Sequence, residues 1–203
     1  MAQRQLQLCS EAKIILDLCG GTASWSQPYK DAGYDVRVIT LPEQDVREYI
    51  PPQRVYGILA APPCTMFSLA RTRAKKPRNF IEGLNPVDAC IRIAFTTQPK
   101  FFALENPLGL LSKWIGKPQY VFDPWWFGDP WTKKTAIWGW FEEPQRKFYE
   151  ITEVMTKEQI EKCKINRDLL KLPSISDITS SKQQAKRAIT SKGFTKAFYE
   201  ANP

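Results

Sequence analysis

The chain reads as an α/β protein built on a mostly parallel, doubly wound sheet, and three observations predict it. Short apolar, β-branched runs of four to seven residues recur through the first two thirds of the sequence. Helix-length stretches separate them, which is the rhythm of buried parallel strands joined by crossovers. The first run stops at adjacent glycines, as a strand does when it enters a tight turn.

Lys13 to Leu18 (KIILDL) is the first predicted strand and ends at Cys19-Gly20-Gly21. Ser24 to Ala32 follows as a helix closing at Gly33, since glycine is the favoured residue just past a helix end. Asp35 to Thr40 (DVRVIT) and Val55 to Ala61 (VYGILAA) are the next strands. Asn85-Pro86 predicts the start of a helix through Thr96, an N-cap residue followed by proline at the first helical position. Phe101 to Leu104 (FFAL) is the fourth strand, and Thr132 to Trp140 (TKKTAIWGW) a further one. Between them Pro118 to Trp140 gathers Trp125, Trp126, Phe127, Trp131, Trp138 and Trp140 around turn residues. From about Glu142 to Ile178 the chain turns polar and lysine-rich, with one predicted helix near Thr156 to Lys164 whose Thr156 and Gln159 fit a capping box. Thr190 to Ala201 has Phe194, Ala197 and Phe198 at helical spacing. The division that follows is 1–141 for a core domain, 142–186 for a short variable segment and 187–203 for a helix packing back on the core.

Composition narrows the function. A chain of 203 residues, 43% hydrophobic and 25% charged, suits one domain with a sizeable core. Lys and Arg number 29 against 21 Asp and Glu, and the resulting +8 favours a polyanion, nucleic acid ahead of a membrane surface. Histidine is absent, so histidine relays, a histidine base and histidine-held metals are excluded. Five scattered cysteines (Cys9, Cys19, Cys64, Cys90, Cys163) without a C-x-x-C pair indicate neither a disulfide framework nor a zinc knuckle, and no metal is expected. With no long apolar stretch and no signal-like start, a cytoplasmic location is expected.

In doubly wound sheets ligands bind beyond the carboxyl ends of the strands. The residues there are Asp17 with Cys19-Gly20-Gly21-Thr22, then Pro62-Pro63-Cys64, then Glu105-Asn106-Pro107. The glycine pair serves equally as a sharp connection or as a close approach for a cofactor, and no phosphate-binding glycine pattern is present. Cys64 is either a buried strand-end thiol or a nucleophile, its pKa lowered by Arg71, Arg73, Lys75, Lys76 and Arg78 nearby. Glu105 is either a turn cap or a second reactive group.

Taken together, these clusters resemble the DNA cytosine carbon-5 methyltransferases, in the small, phage-type form with a reduced target-recognition region. Asp17-Leu18-Cys19-Gly20-Gly21-Thr22 resembles the family's cofactor motif, Pro62-Pro63-Cys64-Thr65-Met66-Phe67-Ser68 its nucleophile motif, and Glu105-Asn106-Pro107 its glutamate motif. Gly128 to Thr135 is similar to its basic substrate motif, and Arg187 to Ala201 to its last. The resemblance implies a Rossmann-like S-adenosylmethionine-dependent methyltransferase fold, S-adenosylmethionine as cofactor and DNA as partner, single-stranded or duplex with a flipped cytosine. It implies that Cys64 adds to carbon 6 of cytosine as a covalent catalyst and that Glu105 binds ring nitrogen 3. Cofactor contacts carry over to Asp17, Cys19, Gly20, Gly21, Thr22, Trp25 (stacking on adenine), Thr40, Asp45, Val46 and Pro62. Substrate contacts carry over to Ser68, Arg71, Arg73, Asn106, Lys133 and Lys134.

Several positions depart from the family. Thr40 stands where an acidic residue usually holds the ribose, with Glu43 three residues on as a substitute; Thr65 replaces a glutamine; Trp131 and Thr135 replace a glutamine and an arginine. Only residues 142–186 separate the last two motifs, so a short or relaxed target, a single-stranded substrate or specificity from another chain is expected. Methylation of an exocyclic amine fits poorly, because Cys64 stands where an aromatic residue would stack on the base. Transfer to RNA or a free cytosine nucleotide, a modified sulfonium donor, and a non-catalytic nucleic-acid-binding module remain open alternatives. The last is supported by the run from Ile178 to Tyr199, basic and without an acidic residue.

Overall fold

The computed structural model describes residues 12–69, 76–165, 171–175 and 189–203. Arg71 and Arg73 lie outside the described residues, as do Lys182, Lys186 and Arg187. In chain order the sheet strands are β1 (Ile14–Leu18), β2 (Asp35–Ile39), β3 (Gly57–Ala60), β4 (Phe101–Pro107), β5 (Tyr120–Phe122) and β6 (Thr135–Trp140). They form one sheet in the order β2-β1-β3-β4-β6-β5. The β2-β1, β1-β3 and β3-β4 pairings are parallel, whereas β6 runs antiparallel to both β4 and β5. The fold is therefore α/β and its sheet mixed, with three parallel and two antiparallel pairings. The reason lies between β5 and β6, where a 3₁₀ turn (Pro124–Phe127) takes the place of the crossover helix a parallel return needs.

Helices cover both faces. One face packs Leu16, Leu18, Ile58, Ala60, Phe102 and Leu104 against α2 (Phe80–Thr97) through Val87, Cys90, Ile93 and Ala94. The other packs Ile15, Leu59, Phe101 and Ala103 against Tyr29 of α1 (Gln27–Asp31) and against Phe194, Ala197 and Phe198 of the C-terminal helix. Among the described residues two shorter helices precede it, α3 (Ser112–Ile115) and α4 (Lys157–Ile165), and the C-terminal helix, Lys192–Ala201, is numbered α5.

Cap chemistry sets the helix ends. Helix α2 begins before the Asn85-Pro86 pair, because the Asn79 side chain accepts the Glu82 N–H at 3.2 Å, and Pro86 falls inside the helix. The Thr156 and Gln159 capping box opens α4 as the sequence predicts, with Thr156 N–H donating to Gln159 Oε1 at 2.8 Å and Gln159 N–H to Thr156 Oγ1 at 3.2 Å. Ser191 caps α5, accepting the Phe194 N–H at 3.3 Å.

Two aromatic rings, Phe194 and Phe198, lead the buried α5 face. Phe194 stacks on Phe122 of β5 with centroids 4.0 Å apart, and both rings are buried. Truncating Phe194 to alanine would leave a cavity under the sheet and is expected to cost about 3–5 kcal/mol, read as a lower urea midpoint with an unchanged slope.

Candidate active site

Strand register assembles the site. Leu18 lies opposite Ile39 and Ala60, and Ala60 opposite Leu104, so Cys19, Thr40, Ala61 and Glu105 emerge along one edge of the sheet. Three clusters distant in sequence meet there.

The first is organised by Asp17, which is 1% exposed. Its Oδ2 accepts the Ser26 hydroxyl at 2.5 Å, while Oδ1 has no partner among the described residues. Burial pushes its pKa up to about 6, and the Ser26 hydrogen bonds only partly oppose this. A side chain at Gly20 would overlap the Asp17 carboxylate at 2.4 Å, so glycine is required there. Cys19, Gly21 and Ala23 all have positive φ, and Cys19 N–H returns to the Ile39 carbonyl at 2.7 Å, curling the loop over the strand end. A hydrogen bond with Cys90 holds the Cys19 thiol below its ordinary pKa.

The second and third clusters are joined. Asn106 is fully buried and its Nδ2 donates to the Pro62 carbonyl at 3.0 Å. Cys64 then opens a turn in which its carbonyl accepts both Phe67 N–H and Ser68 N–H at 2.9 Å. Lys133 Nζ lies 3.7 Å from Glu105 Oε1, and the Lys133 N–H donates to Asp123 Oδ1 at 2.9 Å, which fixes the base of that side chain. Burial chiefly, and the Glu105 charge next, push the Cys64 thiol up; Lys133 pulls it down. Cys64, Glu105 and Lys133 are thus one electrostatic group.

Other predicted residues fall in more varied places. Gly21 and Thr22 are exposed on the loop, Thr40 is half-buried at the end of β2, Glu43 is exposed, and Val46 and Pro62 are buried. Both Asp45 carboxylate oxygens accept from the Arg47 guanidinium, which holds that carboxyl down at about 2. Trp25 is 2% exposed and its ring meets Phe198 at 5.4 Å and Phe194 at 5.9 Å, so the C-terminal helix α5 packs over it. Ser68 is half-buried and Lys134 exposed. Sequence reasoning missed Ser26 and Asp123, whose types carry no signal without their partners. It placed Arg78 in the basic loop, whereas its guanidinium donates to the Met66 and Ser68 carbonyls.

Residues 29–119 match the family model for C-5 cytosine-specific DNA methylases, a stretch that includes Pro62, Cys64 and Glu105. That stretch, just under half of the chain, is similar to the family. Two curated relatives agree. The chain is 35% identical over 136 residues to the type II methyltransferase M.DdeI of Desulfomicrobium norvegicum, covering 54% of this chain and 31% of the relative. It is 34% identical over 82 residues to the type II methyltransferase M1.HphI of Haemophilus parahaemolyticus, covering 38% and 21%. The match thus spans a third or less of either relative's length. The methylase family is S-adenosylmethionine-dependent in general. Among the described residues no helix is long and apolar enough to cross a membrane, and no three His, Cys, Asp or Glu side chains group as metal ligands.

Asp17 generates a stability prediction. Its folded pKa lies above its unfolded value, so its contribution is most favourable below about pH 4 and is lost as pH rises through about 6. Asp17→Asn, which keeps an acceptor for Ser26, is expected to stabilise the ligand-free chain at pH 7 by roughly 1–3 kcal/mol. Urea unfolding at pH 7 and pH 4 checks it, the difference vanishing at the lower pH.

Proposed function

We propose that the chain transfers the methyl group of S-adenosylmethionine to carbon 5 of cytosine in DNA, with Cys64 as covalent nucleophile and Glu105 as the group at ring nitrogen 3. The observation that carries this reading is the grouping of Cys64, Glu105 and Lys133 at the edge where the Asp17 loop also ends.

The Asp17 loop fits the cofactor. A buried carboxylate oxygen without a partner is suited to a ligand donor, and open space beside Gly21 leaves the loop backbone approachable. Asp17, Cys19, Gly20, Gly21 and Thr22 would hold S-adenosylmethionine, with Thr40, Val46 and Pro62 along the same edge; Trp25 would support the pocket wall from behind. When bound, the sulfonium supplies an electrophilic methyl group.

The chain's own residues supply the rest. Carbon 5 of cytosine is too weak a nucleophile to attack a sulfonium unaided. Addition of the Cys64 thiolate to carbon 6 makes carbon 5 enamine-like, while Glu105 carries a proton to nitrogen 3 and so stabilises the electron-rich ring. While that proton is shared between Glu105 and nitrogen 3, the carboxylate charge that raises the thiol is offset. The nucleophile is therefore favoured once a base is bound. After methyl transfer a base takes the carbon-5 proton and the Cys64–carbon 6 bond breaks. A stacked base is out of reach, so the cytosine must be flipped or single-stranded. Lys133 would meet the base edge, and Ser68, Lys134, Arg71 and Arg73 the backbone; Asn106 acts from within, through Pro62.

The segment after residue 141 would carry the limited recognition. Met155 and Leu172 form a small cluster with Trp125, Ile151, Val154 and Ile160, and Thr132, next to Lys133, bonds to Pro173 and Ile175. A short or relaxed target fits so small a unit.

A radiolabelled transfer assay on single-stranded DNA, duplex DNA and RNA tests this reading. Label at carbon 5 of cytosine in DNA, abolished in Cys64→Ala, is expected; label confined to RNA, or retained by the variant, would refute it. Replacing Lys133 with Met is expected to raise the thiol pKa further and move the alkaline rise of the 5-fluorocytosine trapping rate to higher pH.

A further inference from the structure

We propose that Arg78 is a positioning residue for the nucleophile, holding the Cys64 turn against the start of α2; the inference rests on the methyl-transfer reading above. Its guanidinium spans two carbonyls of that turn, Nη1 donating to Met66 O at 2.7 Å and Nη2 to Ser68 O at 2.9 Å. The turn touches the helix start at two further points. Asn79 N–H reaches Met66 Sδ at 3.4 Å, and a side chain at Gly83 would come within 2.8 Å of Met66 Cβ. Asn79 is also the cap of α2, so the turn is anchored where the helix itself is fixed.

The opposite side of the turn is held by the chain that leaves the glutamate strand. Leu110 N–H donates to Phe67 O at 2.9 Å, a side chain at Gly109 would meet that same oxygen at 2.6 Å, and Phe67 is fully buried. The Cys64 turn is therefore gripped from two sides. One grip belongs to the segment that follows Glu105, and the other is Arg78. Lysine cannot reproduce it, because a single ammonium lacks the planar fork that serves two carbonyls at once. Charge-assisted bonds of this length are among the stronger ones a side chain makes. A cation committed to main-chain carbonyls is also poorly placed to bind phosphate, which separates Arg78 from the loop cations preceding it in sequence.

Arg78→Gln and Arg78→Lys test the inference, read by the rate of covalent adduct formation on single-stranded DNA containing 5-fluorocytosine. The expected result is an adduct rate lower by about 10²-fold for Gln and partly restored in Lys, with the KM for DNA and the affinity for S-adenosylmethionine within about threefold of wild type. Added methylguanidinium is expected to recover part of the Gln variant's rate, which a misfolded protein would not show. A raised KM with an unchanged adduct rate would make Arg78 a phosphate contact and overturn the proposal, as would an unchanged rate and KM. A second readout is independent of transfer: alkylation of Cys64 by iodoacetamide, followed by mass on the peptide that contains it. If the wild type transfers no methyl group, the functional reading fails, and an alkylation rate equal in wild type and Arg78→Gln would sink the positioning role as well; a changed rate would support it.

Discussion

The Asn106 side chain joins the two halves of the site. Its Nδ2 bonds the Pro62 carbonyl, so the ends of β3 and β4 are tied just where the main-chain ladder between them stops. Ladder hydrogen bonds set the register up to Ala60 and Leu104, but they cannot position Cys64, which lies four residues beyond β3. A buried amide bridging the gap transfers the sheet's rigidity to the Pro62-Pro63 segment, whose prolines already limit φ. Loss of such a bond would leave a buried carbonyl unpaired, a cost of about 1–3 kcal/mol. Position at this edge is thus inherited from the sheet rather than built by the loops.

Electrostatics at the same edge work against the resting protein. Asp17 is buried without a cation, and Cys64 is half-buried beside a carboxylate. Both arrangements disfavour the charged form; on the proposed reading, a donor group arriving at Asp17 and a base sharing a proton with Glu105 would relieve them. Chemical competence would then be conditional on occupancy. A thiolate exposed permanently would be open to oxidation and alkylation, and a raised pKa limits that.

Much of this was legible in the sequence, for identifiable reasons. Strands β1, β3 and β4 are buried on both faces, so their apolar runs stand out, and the residues after them fall on one edge by the general geometry of such sheets. Cap chemistry marked α4 through Thr156 and Gln159, yet the same logic misplaced α2, since Asn79 with Glu82 is as good a start as Asn85-Pro86 and lies earlier. Strand β5 was invisible because three residues carry no period. The reversal of β6 depends on a missing crossover helix, which the aromatic stretch from Pro118 to Trp140 conceals. Site residues named by type and place, Cys64 with Glu105 and Lys133, come together. Those whose role lies in a partner, Ser26 under Asp17 and Arg78 on two carbonyls, need the fold to be seen.

The same partner bonds explain how the segment after the core can be short. It leaves β6 near Glu142 and returns at Ser191, and both points are fastened. Asn202 donates to the Glu142 carbonyl and accepts its N–H, each at 2.8 Å, so the last turn of α5 holds the exit. Ser191 bonds Asp129, and a side chain at Gly193 would collide with the Phe127 carbonyl at 2.1 Å, so the first turn of α5 packs closely on the return. Helix α5 covers its face of the sheet through Phe194 and Phe198, and among the described residues that cluster draws none from 143–190. An excursion fixed at both ends by the core adds only a slowly growing closure entropy with length. On the proposed reading, recognition would fall to this segment, while the edge that carries Cys64 and Glu105 is set by the sheet and by the contacts fastened to it.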